Sequence, residues 1–333
     1  MHTRRHWTRF MSRIMLATAC ALPLCAMAQL APLLNKPVKI VVGFTPGGSA
    51  DLIARALAGH LAAYASSVIV ENKPGAGGRI ALEAVKNAEP DGTTLLVTPS
   101  SVTTLYPHVY RKLGYDPLKD LAPVSMLASF PFVLVAGPMV PAQVATLRDF
   151  IAWSRANPRQ AAFASPGNGT TPHFAGIALN RAGNLDLTHV AYKGGAPAMN
   201  DVMGGQIASN MAVISNALPH IQAGRVRALA VTGPVRSAAL PAVPTMTEAG
   251  YPDASVTESF GLYLPAKTAP ETVLRLNALV REAMATKAYQ EVLVKSSFDA
   301  APVMNPTDYA QQIKAETARW ASIVKASGFT PED

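Results

Sequence analysis

The sequence predicts an α/β protein built as two lobes that face one cleft. A short β-branched run, residues 38–42, leads into Thr45-Pro46-Gly47-Gly48 and then into a helix that begins at Ser49. The same order of strand, glycine turn and helix start recurs at Phe163-Ala164-Ser165-Pro166-Gly167-Asn168-Gly169-Thr170. Between and after these units, apolar runs of strand length alternate with stretches of helical period. A composition of 49% hydrophobic and 15% charged residues suits a well-packed globule and not a disordered chain.

The first residues are set apart from this pattern. Arg4, Arg5, Arg9 and Arg13 form a basic region, residues 14–25 a short apolar one, and Ala26-Met27-Ala28 a small-x-small cleavage site. This is the layout of a secretory signal peptide, cleaved after Ala28, which predicts export. A lipoprotein reading at Cys20 or Cys25 fits the processing site less well, because Leu24 is too large and Ala17 stands where a leucine is usual. Both cysteines lie in this segment, so the mature chain has no thiol for disulfides, thiolate metal sites or nucleophilic catalysis. Removing the four arginines lowers the formal charge from +8 to about +4. That is too mild to predict a nucleic-acid partner. The roughly 300 residues that remain are enough for two domains.

In order, Leu52, Ile53, Ala56, Leu57 and Leu61 give the first helix one apolar face. A strand at 68–70 and a second glycine turn, Lys73-Pro74-Gly75-Ala76-Gly77-Gly78, precede a helix over 79–87. Residues 94–98 read as a strand, with Ser100 and Ser101 at its C-terminal edge, where α/β proteins place ligands. Residues 106–119 are loop-like, and two separate strands follow at 121–127 and 132–136. The second half reads as helix 147–157, strand 161–165, helix 172–181 with Thr171 as N-cap, and strand 187–191. The turn Lys193-Gly194-Gly195 and helix 196–203 come next, then strand 207–213, helix 216–223 and strand 225–231. A strand at 260–264 returns, and helices starting at Pro270 and Pro306 close the chain. The last carries Tyr309, Ile313, Trp320 and Val324 in one stripe up to Gly328.

A glycine turn running into a helix start suits an anion, because the first helical amides have no intrahelical partner and carry the positive end of the helix dipole. Such turns also serve packing alone, and one copy does not separate the two roles. Two copies, one per half, favour a pair of carboxylate cradles. Other chemistries fit poorly. Ser49 stands where a phosphate loop needs lysine, and Ile80 where the dinucleotide fingerprint needs glycine. The seven histidines are scattered, which offers no metal site and no cofactor. His173, just inside the second helix, either orients its loop or meets a carboxylate. Asp51, in the first turn of its helix, reads first as a structural residue and second as one that pairs with ligand groups. No GxSxG elbow or other assembly of nucleophile, base and oxyanion hole appears, so no enzyme is predicted.

With these motifs in place, the chain resembles the substrate-binding proteins of the tripartite tricarboxylate transporter family, the Bug receptors. The residues that carry the resemblance include Phe44-Thr45-Pro46-Gly47-Gly48-Ser49-Ala50-Asp51 with Arg55, Val70-Glu71-Asn72-Lys73-Pro74-Gly75-Ala76-Gly77-Gly78, Pro90-Asp91-Gly92-Thr93 and Ser165-Pro166-Gly167-Asn168-Gly169-Thr170. His189-Val190-Ala191-Tyr192-Lys193-Gly194 and Ala223-Gly224-Arg225-Val226-Arg227-Ala228 extend it over nearly all the mature chain. The resemblance implies a type II-like periplasmic-binding-protein fold, each lobe a mixed sheet flanked by helices with the ligand cleft between them. It places lobe 1 at 29–128 plus 257–333 and lobe 2 at 129–256. It also implies a monomeric, non-enzymatic receptor that binds a small organic acid and hands it to integral-membrane permease subunits.

The site expected from these readings comprises Phe44, Thr45, Gly47, Gly48, Ser49, Asp51, Ser100 and Ser101 on one side. Ser165, Gly167, Asn168, Gly169, Thr170, Thr171, His173 and Ala212 form the other. Three positions leave the family's pattern: Ile177 where an acid is common, Met211-Ala212 where Phe-Asp is common, and Ser259 where tryptophan is usual. Ala212 cannot hold a ligand amine, which predicts a non-aminated or more apolar acid. A secreted hydrolase using His173 and Ser165, or a sensory receptor with the same cleft, are the competing functions.

Overall fold

A computed structural model describes residues 33–192 and 194–332. The signal segment with its cleavage site, and Lys193 of the expected turn, lie outside the described residues. Strand β1 (Leu34–Val42) lies between β2 (Ala65–Asn72) and β3 (Thr94–Pro99), parallel to both, with Ile40 opposite Val70 and Leu95. Val38, Ile40, Val41 and Val42 are all buried, as befits a strand covered on both faces. The crossovers are the helices Ser49–Ala58 and Arg79–Lys86, which bury Ile53, Ala54 and Leu57, and Ala81, Leu82 and Val85.

The chain leaves this sheet through β4 (Leu121–Ala136), a single strand of 16 residues where the sequence predicts two. Its first part, to Pro131, pairs antiparallel with β9 (Thr257–Pro265), which in turn pairs with β3. Its last part, from Phe132, pairs with β7 (Ser209–Val213) and β8 (Arg227–Val231). Pro131 sits where β4 changes partners, so its missing N–H removes little from either ladder. Apolar residues on both sides of that proline let one strand serve two sheets. The second sheet is completed by β5 (Ala162–Ser165), parallel to β7 and to β6 (Thr188–Ala191). The path is therefore β2-β1-β3-β9-β4-β7-β5-β6, and β10 (Asp299–Ala300) pairs with β4 at Ser129 and Ala128.

Where the chain crosses between the sheets it is stitched by Thr232. The hydroxyl accepts from Phe132 N at 2.8 Å and donates to Val256 O at 2.7 Å, while Val256 N donates to Thr232 O at 2.9 Å. One apolar cluster fills most of the molecule. A second, with Val133, Val135, Ala164 and Val231, lies under the helices Gly195–Met203 and Ile214–Gln222.

The terminal helices follow the sequence pattern. Pro270–Ala285 buries Val273, Leu276, Val280 and Met284. Pro306–Ser327, capped by Asn305, buries Tyr309, Ile313, Trp320 and Val324 and stops at Gly328 with φ +73°. The helix Lys287–Lys295 was not foreseen, since it buries only Tyr289 and Leu293. The expected loop over 106–119 contains two single helical turns, Tyr106–Val109 and Pro117–Asp120, too short to show a period. Among the described residues no helix is long and apolar enough to cross a membrane.

Candidate functional site: two glycine loops at the strand ends

At the end of β1 the chain turns through Gly47, whose φ of +79° lies in the region that favours glycine. The turn closes with Gly48 N donating to Thr45 O at 3.3 Å. Asp51, 2% exposed, points back into the loop. Its carboxylate accepts from Gly47 N at 2.9 Å, Arg55 Nε at 2.8 Å and Asn72 Nδ2 at 2.9 Å, and the same Asn72 amide donates to Phe44 O at 3.0 Å. Burial pushes the Asp51 carboxyl up, but the hydrogen bonds from Arg55, Gly47 and Asn72 together outweigh it and hold it below the ordinary carboxylate range. Asp51 thus builds the loop from behind. The helix itself begins bare: Gly48 is its N-cap without a side-chain bond, and Leu52 N makes the first backbone bond, to Gly48 O at 3.0 Å. Thr45 and Gly47 are exposed, and Phe44, Gly48 and Ser49 are half-buried around these amides.

At the end of β3, Ser100 and Ser101 are buried at the start of the short helix Ser100–Thr104, where the sequence placed an open strand edge. Ser100 Oγ accepts from Ser259 N at 3.3 Å, and Ser101 N donates to Glu258 Oε1 at 3.1 Å. Glu258 is the only acid in the otherwise apolar or neutral strand β9, and burial pushes its carboxyl up to about 7.

The second loop is assembled on two stacked imidazoles. His173 and His189 lie with ring centroids 3.7 Å apart and planes 14° from parallel. Gly169, at φ +66°, donates its N–H to His173 Nδ1 at 3.1 Å, so the His173 proton sits on Nε2. Ser165 Oγ donates to Gly167 O at 2.8 Å and meets His189 Nε2 at 2.7 Å; its one proton being used, it accepts from the imidazole. Burial lowers His173 to about 3, with His189 adding to the shift, and lowers His189 to about 4, so both are neutral near pH 7. The N-cap of the helix Thr171–Gly183 is Thr170, one residue earlier than the sequence predicts. Its hydroxyl donates to Gly167 O at 2.7 Å and leaves the helix start uncapped.

The two halves meet through these elements. Ser49 Oγ lies 3.3 Å from Ser215 Oγ, at the start of the helix after β7. Asn168 does not enter this junction; its amide donates to Glu332. Ala212 pairs with Val133 and packs in the second apolar cluster, while Ile177 is half-buried on its helix. Beside the crossing strands a cavity of about 400 Å³ is lined by Ser129, Glu258, Ser259, Glu316 and Arg319, among others.

The profile described as "Tripartite tricarboxylate transporter family receptor" matches residues 53–329. The chain belongs to that family. Protein BugT of Bordetella pertussis is 35% identical to this receptor over 88% of this chain and 90% of its own length. An R. palustris protein solved with adipate superposes with a TM-score of 0.83 at 30% identity, covering 90% of this chain and 99% of that one. The periplasmic binding protein BugD does so with a TM-score of 0.81 at 30% identity, over 90% and 100%.

The receptor therefore has the two-lobed periplasmic-binding-protein fold that the resemblance implies, and the family is a class of solute receptors. The geometry does not assemble the hydrolase pair: His173 is bonded to Gly169, and Ser165 is fully buried and bonded to His189. Sequence reading missed Asn72, His189, Ser215 and Glu258. Asn72 and His189 lie in motifs that carry the family resemblance, and Glu258 lies just before the predicted strand at 260–264, in what the structure shows as β9.

Proposed function

We propose that this receptor closes on a small organic acid, held by its carboxylates between residues 44–51 and 165–171, and delivers it to the integral-membrane subunits of its transporter. One observation carries the reading. Both loops end in helix starts, at Gly48 and Thr170, that no side chain caps, while Ser49 reaches within 3.3 Å of the opposite half. Uncapped amides need acceptors, and a carboxylate supplies them with charge-assisted hydrogen bonds worth about 1.5–3 kcal/mol each. With two such ends, one per lobe, a dicarboxylate bridges the cleft and favours the closed form. Adipate, the ligand of the R. palustris protein, is a member of that class.

In this reading residues 29–128 with 257–333 form lobe 1 and 129–256 form lobe 2. The chain is exported to the periplasm after cleavage following Ala28, and it acts as a monomer without catalysing a reaction. Asp51, the acid of the first loop, is taken up by Gly47, Arg55 and Asn72 and is not offered to a ligand amine, so non-aminated acids are preferred. A thermal-shift screen of the mature protein tests this. A ligand at about 100 times its Kd stabilises the folded state by about 2.7 kcal/mol, a clear rise in Tm. Adipate or related dicarboxylates are expected to raise it more than aspartate or glutamate. A panel in which no carboxylate raises Tm contradicts the proposal.

A further inference from the structure

Residues 329–332, beyond the last helix, tie together parts of the molecule that are distant in sequence. Glu332 forms a parallel bridge with Tyr110: its N donates to Val109 O at 2.9 Å, and its O accepts from Arg111 N at 2.7 Å. Its side chain turns the other way and accepts from Asn168 Nδ2. The Phe329 ring stands edge-on to His173 at 5.9 Å and packs on Phe174 at 5.3 Å. Gly169 fits against the same group, since a Cβ there would lie 3.2 Å from Val109 Cγ2 and 3.8 Å from Phe329 Cζ. The segment thus touches Asn168, Gly169 and His173, and His173 in turn holds the Gly169 amide.

We propose that this segment is a positioning element of the binding site, in which Glu332 and Phe329 hold residues 167–171 ready for a ligand. The inference rests on the carboxylate reading above. A loop with glycines at 167 and 169 has a large conformational entropy to lose when it orders around a ligand. Holding it in place beforehand moves that cost from binding to folding. The backbone bridge to residues 109–111 anchors the segment independently of the Glu332 side chain, so that side chain can be altered while the anchor stays.

The test uses the mature chain with Glu332→Ala, Phe329→Leu and Glu332→Gln, the last keeping an acceptor for Asn168. Hydrogen exchange over 165–173 is measured without ligand, adipate affinity by calorimetry, and Tm as a control for folding. Glu332→Ala is expected to speed exchange and weaken adipate each by about tenfold, with little change in Tm. Phe329→Leu should do the same to a smaller degree, and Glu332→Gln should stay near wild type. Unchanged exchange in both Glu332→Ala and Phe329→Leu overturns the proposal, as does a Glu332→Gln variant as impaired as Glu332→Ala. If wild type does not bind adipate, the dicarboxylate reading fails for that acid, while the exchange data still decide the role of the segment.

Discussion

The Asp51 carboxylate accepts the Gly47 amide at 2.9 Å, and the Asn72 amide joins the pair by bonding both Asp51 and Phe44 O. Asp51 therefore shapes the first loop from inside. Asp51→Ala leaves Gly47 N without its acceptor and Asn72 with Phe44 O alone, which costs about 1–3 kcal/mol of stability. It is also expected to weaken carboxylate binding by about tenfold or more, because the loop loses its fixed turn. Asn72→Ala should give a smaller loss of the same kind. Urea denaturation and calorimetry measure both effects; an Asp51→Ala protein with wild-type affinity would show that the loop needs no such support.

Gly48 has ordinary φ, and a Cβ there would lie 3.2 Å from Thr45 O. Gly48→Val is thus expected to fold, with Tm lowered modestly, yet to obstruct the approach of an anion to the helix start. Binding should fall by at least about tenfold, since charge-assisted bonds are lost. Equal affinity in wild type and variant would mean that the first glycine loop is a packing turn.

The buried acid Glu258 and the buried imidazole pair act on stability with opposite signs. Glu258 titrates near 7 in the folded protein against an ordinary 4.5, so the folded state holds the proton more tightly and stability falls as pH rises between those values. His173 and His189 are lowered to about 3 and about 4 from 6.5, so stability rises with pH over that lower range. Glu258→Gln mimics the protonated acid. Its stability should match wild type near pH 5 and exceed it above pH 7, by about 3 kcal/mol at most. Glu316, also pushed up by burial beside the same cavity, keeps a weaker trend of the same sign. Melting curves from pH 5 to 8 check this, and parallel profiles for the two proteins would contradict it.

Thr232 links the two places where the chain crosses between the sheets, through Phe132 N in β4 and Val256 O just before β9. Thr232→Val keeps the shape and β-branching but strands a buried amide and a buried carbonyl. Destabilisation of about 2–3 kcal/mol is expected in urea unfolding. A loss below about 0.5 kcal/mol would show that the crossing does not depend on this hydroxyl.

Much of this arrangement is legible in the sequence because strong local signals agree with the tertiary fold. The run at 38–42, the stripe Tyr309, Ile313, Trp320 and Val324, and the glycine turns fall where the structure places them. Continuity of β4 through Pro131 was hidden, because a proline breaks a strand in sequence but only marks a change of partner here. The single turns at 106–109 and 117–120 are too short for a period to appear. The sequence marks the two glycine loops of the candidate site but not what holds them. Asn72, His189 and Glu332 come from strands or segments far along the chain, and polar contacts of that separation leave no local pattern. Ala212, chosen for its departure from the family's pattern, lies in an apolar cluster, since its strand alternates and that face is covered by helices.

The most direct test of a carboxylate clamp is a calorimetric titration of the mature protein with the strongest acid from the thermal screen and with the amide of that acid. The two ligands have nearly the same shape and differ in charge. The uncapped helix starts at Gly48 and Thr170 predict that the acid binds and that the amide is weaker by about a hundredfold. An amide that binds as tightly as its acid would contradict the account.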